Sequence, residues 1–411
     1  MPEDTVGRHA KLEEVVRELI TNDINNDVKF DDLLMVDTLE RLGLDYHYED
    51  EINLILDQLY LQVINKDFVE YRDLHEVSLY VFELFKGKNG KFMENLRYDI
   101  RGLMELYEAS QLCIEGENIL DEAAIFSSNM LQKALDFLDD KEARMVRYTL
   151  ENPHRRNITW FRLLNSPKDF DATILKELAE LEYTMVQSIR RMEIHEILSR
   201  IRAVLEEIDL GVSGINRLIK KRLVWATLCD AFLKSILQWA TLCDAFLVEA
   251  KWFASEHIPK SEEYLKNGIV SSGVQVFLVH MFFLLGDGST KENANLIDNN
   301  HGIVSSVSKI LRLSDDLESE QDENQDGHDG SYVKCFLMEH EYCSTKIAQE
   351  YVKKMISDAW KCLNKECISP NTFSENFLKG SINLARLVPS MYSCSHNNSF
   401  DLIEEYIRSI L

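Results

Sequence analysis

Apolar residues recur at helical spacing along most of this chain. Leu12, Val15, Val16, Leu19 and Ile20 fall at i, i+3, i+4, i+7 and i+8, which is one stripe of a helix. Ile52, Ile55, Leu56, Leu59 and Tyr60 repeat the spacing. Ala348, Tyr351, Val352, Met355, Ile356 and Ala359 repeat it again. No convincing run of alternating apolar and polar positions marks a strand. The pattern predicts an all-α protein. Only 6 prolines and 16 glycines interrupt 411 residues, few breakers for this length.

The breaks in periodicity suggest the domain plan. ENPHRRNITWFRLLNSPKDFD, 151–171, carries two prolines and mixed charge without a period. A boundary there divides the chain into an N-terminal domain, 1–170, and a C-terminal domain, 171–411. Polar stretches at 286–300 and 324–331 are expected loops. WATLCDAFL occurs at 225–233 and again at 239–247. An offset of 14 residues is nearly four helical turns, so both copies are expected to face roughly the same way. Two copies are too few for a solenoid. They read as a recent duplication or a flaw in the assembly of the coding sequence.

Charge narrows the partners. The chain has 45 basic and 70 acidic side chains, a net charge of −25. Such a surface repels nucleic acid and anionic lipid, so neither is an expected partner. An anionic substrate would need a cation to screen the acids. The 8 cysteines include no CxxC or Cys/His spacing and read as reduced thiols in a reducing compartment. No transmembrane helix is expected. MPEDTVGRHAKLEEVV has neither the apolar core of a signal peptide nor the acid-poor character of a transit peptide. A monomer in the cytoplasm or a plastid is the expectation.

The candidate chemistry lies in LRLSDDLESEQDEN, 311–324. Asp315, Ser319 and Glu323 are four residues apart and stack along one helix face. Val307 and Leu311 precede them on the same line, and Arg312 lies one turn back. Carboxylate and hydroxyl oxygens are hard ligands that suit Mg²⁺ or Mn²⁺, not Zn²⁺. A solvated acidic helix end is the alternative reading. Glu49, Asp50 and Glu51 read as a solvated helix face, and His154, Arg155 and Arg156 as a basic surface turn. No GxSxG, GxGxxG or P-loop occurs, which argues against hydrolase, dinucleotide and NTPase chemistry.

Several blocks carry a family likeness: EAKWF (249–253), EEYLKNGIVSSGV (262–274), LRLSDDLESEQDENQDGHDGSY (311–332), WKCLNKEC (360–367) and ARLVPSMY (385–392). DTLERLGLDYHYEDEI (37–52), VRYTLENP (146–153) and LAELEYTMVQSIRRMEIHEI (178–197) agree. The chain resembles the plant terpene synthases, and most of all their acyclic-alcohol branch, the linalool and nerolidol synthases. The resemblance implies an N-terminal α-barrel domain and a C-terminal class I helical domain that binds a prenyl diphosphate through three Mg²⁺ ions. Two ions sit on a DDxxD helix, and Asp315, Ser319 and Glu323 would hold the third. Arg312 would bind diphosphate oxygens. Gly273 would mark a helix break whose backbone faces the diphosphate. The loop ending at Tyr332 would close over it on Gly327 and Gly330, and Asp316 is a secondary candidate in the same site. Phe277, Phe282 and Phe283 read either as an aromatic wall for a carbocation or as ordinary core.

The sequence also departs from that family. It contains no DDxxD and no DxDD. RIRAVLEEIDLGVSGINRLIKKRLV, 200–224, stands where the family has a long helical region, which points to an internal deletion near 198–224. Two expectations follow. The chain converts geranyl or farnesyl diphosphate to linalool or nerolidol with Mg²⁺ or Mn²⁺, or it is a catalytically inactive helical remnant serving as an interaction protein.

Overall fold

The computed structural model describes residues 3–23, 30–67, 85–87, 90–92, 96, 98–157, 173–209, 222–285, 301–319, 331–340 and 342–392. Among them there is no strand, only helices and one isolated bridge between Lys86 and Phe92. Two compact units form. The expected loop at 286–300, the hinges Gly327 and Gly330, and residues 158–172 of the boundary segment lie outside the described residues.

The first unit contains α1 (Glu3–Asp23), α2 (Phe30–Leu42), α3 (Glu49–Asp67), α4 (Ile100–Ser110), α5 (Asn118–Ala134), α6 (Asp140–Glu151) and α7 (Thr173–Asp209). The stripe read from the sequence builds α1, where Val16 and Ile20 are buried while Val15 and Leu19, at its edge, stay exposed. Val16 and Ile20 pack with Leu39, Leu44, Tyr48, Ile55 and Leu178. Leu178 belongs to α7, which follows the expected boundary at 170 and packs on α1 and α2. A second cluster joins Leu103, Met104, Leu131 and Val146 of α4, α5 and α6. Side-chain caps start two of these helices: Asp99 accepts from the Gly102 N–H and Asp139 from the Glu142 N–H.

Polar residues inside this unit correct two surface expectations. Glu51 is not simply solvated, because it pairs with Arg17 of α1. His154 is buried, and its backbone N–H donates to Glu108 Oε2 at 2.7 Å. Arg155 reaches Glu40 Oε2 at 2.8 Å. The 3₁₀ turn Asp45–His47 brings His47 to Glu182 of α7. The His47 imidazole, with the Tyr46 hydroxyl and against the penalty of burial, holds the Glu182 carboxyl down to about 2.

The second unit contains α8 (Arg222–Ala254), α9 (Ser261–Ser271), α10 (Val274–Leu284), α11 (His301–Ser319), α12 (Tyr332–Glu339), α13 (Thr345–Ile368) and α14 (Glu375–Tyr392). Helix α11 is central and packs on α9, α10, α12, α13 and α14. Val307 and Ile310 bury against Leu278 and Phe282 of α10, Trp360 and Leu363 of α13, and Phe377 and Val388 of α14. Both WATLCDAFL copies lie on α8, with Leu242 and Ala245 of the second copy buried. The side chains of the first copy lie outside the described ones.

Gly273 breaks the chain between α9 and α10. Its φ of +73° is left-handed, a conformation that a side chain makes costly. The span Ser261–Leu284 is long and apolar enough to cross a bilayer by length and composition, contrary to the sequence expectation. Its apolar residues have a protein neighbourhood instead. Val274, Leu278, Val279 and Phe282 sit in the core of this unit. Phe282 meets Phe283, Phe373 and Phe377 edge to face at 5.5, 5.8 and 5.5 Å, which makes it a core aromatic. Phe277 is exposed.

Thiol reactivity checks this burial. Cys335 is fully buried and burial pushes its thiol up to about 11, whereas Cys243 and Cys362 are exposed. Iodoacetamide at neutral pH is expected to label Cys243 and Cys362 in the native protein and to reach Cys335 only after denaturant is added. Mass spectrometry showing Cys335 alkylated as fast as Cys362 contradicts the packing.

Candidate metal and diphosphate site

Helix α11 ends in the acidic segment singled out by the sequence. Its last turns carry Arg312, Asp315, Asp316 and Ser319. Asp315 is half-buried. The Ser319 side chain and all of Glu323 lie outside the described residues, so the structure brings none of the expected ligand set together with another. The neighbouring carboxylate, Asp316, faces inward and is 3% exposed.

A buried carboxylate needs partners. Asp316 has three. The Tyr264 hydroxyl of α9 donates to Oδ1 at 2.8 Å, and the Tyr332 backbone N–H at the start of α12 donates to Oδ2 at 2.9 Å. Arg312 Nε lies 3.4 Å from Oδ1. Burial still outweighs these contacts and pushes the Asp316 carboxyl up to about 6. The carboxylate therefore ties three helices together at one point. Asp316 therefore serves as a clamp beside the expected ligands.

Arg312 is held from several sides. Nε and Nη2 both donate to the Tyr264 hydroxyl, the first at 3.0 Å, and the guanidinium carbon lies 4.9 Å from the Tyr264 ring centroid. Nη2 is 3.9 Å from Glu249 Oε1 of α8. Glu249 in turn accepts from Ser271 Oγ at 2.6 Å and Asn267 Nδ2 at 3.2 Å. Burial opposes the charge, but Tyr264, Asp316 and Glu249 raise the Arg312 pKa overall. Gly268 makes room for this arm, since a Cβ there would lie 3.0 Å from Arg312 Cγ.

Sequence reading found Arg312 and named Asp316 and Tyr332 as secondary. It missed Tyr264 and Glu249, although both lie in blocks that it quoted. Their signal is spatial: they meet Arg312 only when α8, α9 and α11 pack together. Gly273 makes the expected helix break. The hard-oxygen donors of the segment fit Mg²⁺ or Mn²⁺ better than Zn²⁺.

Comparison with known proteins fits this organisation. Residues 170–362 match the pattern described as "Terpene synthase family, metal binding domain", and residues 2–150 match "Terpene synthase, N-terminal domain". The Ricinus communis protein named "Probable terpene synthase 13" is 38% identical over an alignment of 495 positions, covering 92% of this chain and 84% of that protein. An (E)-nerolidol synthase of Cannabis sativa is 37% identical, covering 92% of this chain and 88% of its own. The 495 positions exceed the 411 residues here, so the Ricinus protein carries segments that this chain lacks. Isoprene synthase from grey poplar leaves, in complex with three Mg²⁺ ions and dimethylallyl-S-thiolodiphosphate, superposes with a TM-score of 0.77 at 26% identity. That superposition covers 100% of this chain and 97% of the poplar one.

The clamp gives a mutational contrast. Asp316→Ala leaves the Tyr264 hydroxyl, the Tyr332 N–H and part of the Arg312 charge without an acceptor, an expected loss of about 3–5 kcal/mol. Asp315→Ala, half-buried on the same turn, is expected to cost about 1 kcal/mol or less. Urea unfolding measures both, and equal losses contradict the assignment of Asp316 as the clamp.

Proposed function

The chain belongs to the terpene synthase family, and from that premise we propose that it ionises geranyl or farnesyl diphosphate and releases the acyclic alcohol linalool or nerolidol. The observation that carries this reading is the pre-set cation on α11. Arg312 is charged at any working pH and is fixed by Tyr264, Asp316 and Glu249 next to the half-buried Asp315. A guanidinium held in place loses little freedom when it donates to diphosphate oxygens. Asp315, Ser319 and Glu323 would hold Mg²⁺ or Mn²⁺ through hard oxygens. Bound there, the ion would offset the negative charge that grows on the leaving diphosphate. Asp316 would keep the start of α12 against α11, and so anchor the chain that returns from the acidic segment.

Specific observations favour a second reading, a catalytically inactive remnant. The sequence has no DDxxD for the other two ions, and its Ricinus relative aligns over more positions than this chain has. Helix α8 exposes Leu237, Trp239, Phe246 and Leu247, each more than half exposed or close to it. Apolar side chains in such a row fit a helical domain that has lost covering segments.

One assay separates the readings. Purified full-length protein is incubated with geranyl or farnesyl diphosphate and Mg²⁺, and the volatiles are analysed. Linalool or nerolidol is expected, with Asp315→Ala and Arg312→Ala each lowering turnover about a hundredfold or more. Unchanged turnover in both variants rejects the site. No product from the wild type above a boiled control selects the remnant.

A further inference from the structure

The first unit contains a cluster that this function does not use. His9 lies on α1, His47 on the 3₁₀ turn before α3, and Glu182 on α7. The folded unit brings these three, far apart in sequence, together. One ligand atom from each lies within 4.8 Å of the other two. We propose that His9, His47 and Glu182 form a binding site for a divalent transition-metal ion of the zinc class.

The geometry is close to what such an ion needs. His9 Nε2 is 2.6 Å and His47 Nε2 is 3.3 Å from the same oxygen, Glu182 Oε2. Ligands about 2.0 Å from a tetrahedral centre stand about 3.3 Å apart, so the His47–Glu182 edge already matches, the His9–Glu182 edge needs to open by about 0.7 Å, and the edge between the two rings lies within 4.8 Å. Both Nε2 atoms are buried, and each faces Glu182 Oε2. The His9 side chain is only 7% exposed. Both rings thus converge on one carboxylate oxygen, and a cation seated between them would take a ligand from all three side chains.

The surroundings set the ligands. Glu13 places one carboxylate oxygen 3.9 Å from His9 Nδ1 and the other 3.9 Å from His47 Nδ1. With an ion on the Nε2 side, an acidic group behind both rings would favour protons on Nδ1, as carboxylates do behind metal-bound histidines. The Tyr46 hydroxyl engages Glu182 Oε1 and leaves Oε2 toward the rings. Arg17 pairs with Glu13 and Glu51 and so limits the negative charge nearby. Two imidazoles and one carboxylate leave the fourth tetrahedral position for water. Nitrogen ligands also distinguish this site from the all-oxygen set Asp315, Ser319 and Glu323, because Mg²⁺ prefers oxygen.

The test uses the full-length protein, stripped with EDTA, exposed to ZnCl₂ and desalted. Elemental analysis is expected to find one zinc per chain, and the melting temperature is expected to rise with Zn²⁺ but not with millimolar Mg²⁺. His47→Gln and Glu182→Gln, checked for native helicity by circular dichroism, are expected to weaken Zn²⁺ binding more than about tenfold. Because a variant can misfold, the wild type is also loaded with Co²⁺. Visible bands without a thiolate charge-transfer band are expected from nitrogen and oxygen ligands. Absence of retained zinc, retention that survives both substitutions, or a thiolate band from the cysteines each overturns the proposal.

Discussion

A carboxylate nearly out of reach of water must be given donors, and the second unit is organised around doing so for Asp316. The donors come from three directions: a phenol on α9, a backbone N–H on α12 and a guanidinium one turn back on α11. None of these bonds is local in sequence except the last. The same tyrosine that satisfies the acid also carries Arg312 on its ring and its oxygen. The acid, the phenol and the cation are therefore one object, and the helix end that holds Asp315 inherits its position from it. Coupling of this kind makes the site rigid at the cost of tolerance, because each partner, once removed, strands the other two.

Unit one solves the reverse problem. Beside its apolar cluster of Val16, Leu39 and Leu178, it carries a polar seam of His9, Glu13, His47 and Glu182. Here the partners are ring nitrogens converging on one oxygen. The seam joins α1, α7 and the turn before α3, so it contributes to cohesion with or without an ion. The two units thus use buried charge in different ways. One fixes a cation beside a helix end, and the other gathers nitrogen donors around a carboxylate.

Much of the fold was legible because helical burial is periodic. The stripes at Val16 and Ile20, Ile52 and Ile55, and Ala348 and Val352 became buried faces of α1, α3 and α13. Periodicity failed at the stripe edges, where Val15, Leu19 and Tyr351 are exposed, because spacing gives a face and not its width. For Ser261–Leu284 a count of apolar residues cannot by itself tell a buried core pair from a bilayer span, and packing gives the answer. Of the site, Arg312 and Asp315 were visible as one motif. Tyr264 and Glu249 were not, since a phenol 52 residues from its carboxylate leaves no trace in local spacing. The His9, His47 and Glu182 cluster escaped for the same reason: each residue is unremarkable alone, and only the packing of α7 on α1 gathers them.

Helix α8 carries its repeated nine residues on a single rod. At about 1.5 Å per residue, the two copies stand about 21 Å apart along its axis. A partner helix that recognises one copy by its pattern of Leu and Ala meets the same pattern again after that slide. In the described fold, Asn267 Nδ2 of α9 donates to the Ala245 carbonyl of the second copy at 3.1 Å. Register on α8 is therefore decided outside the repeat, by unique residues such as Glu249 with its bonds to Asn267 and Ser271. Fourteen residues earlier stands Ser235, so the first copy is followed by no carboxylate at the matching place.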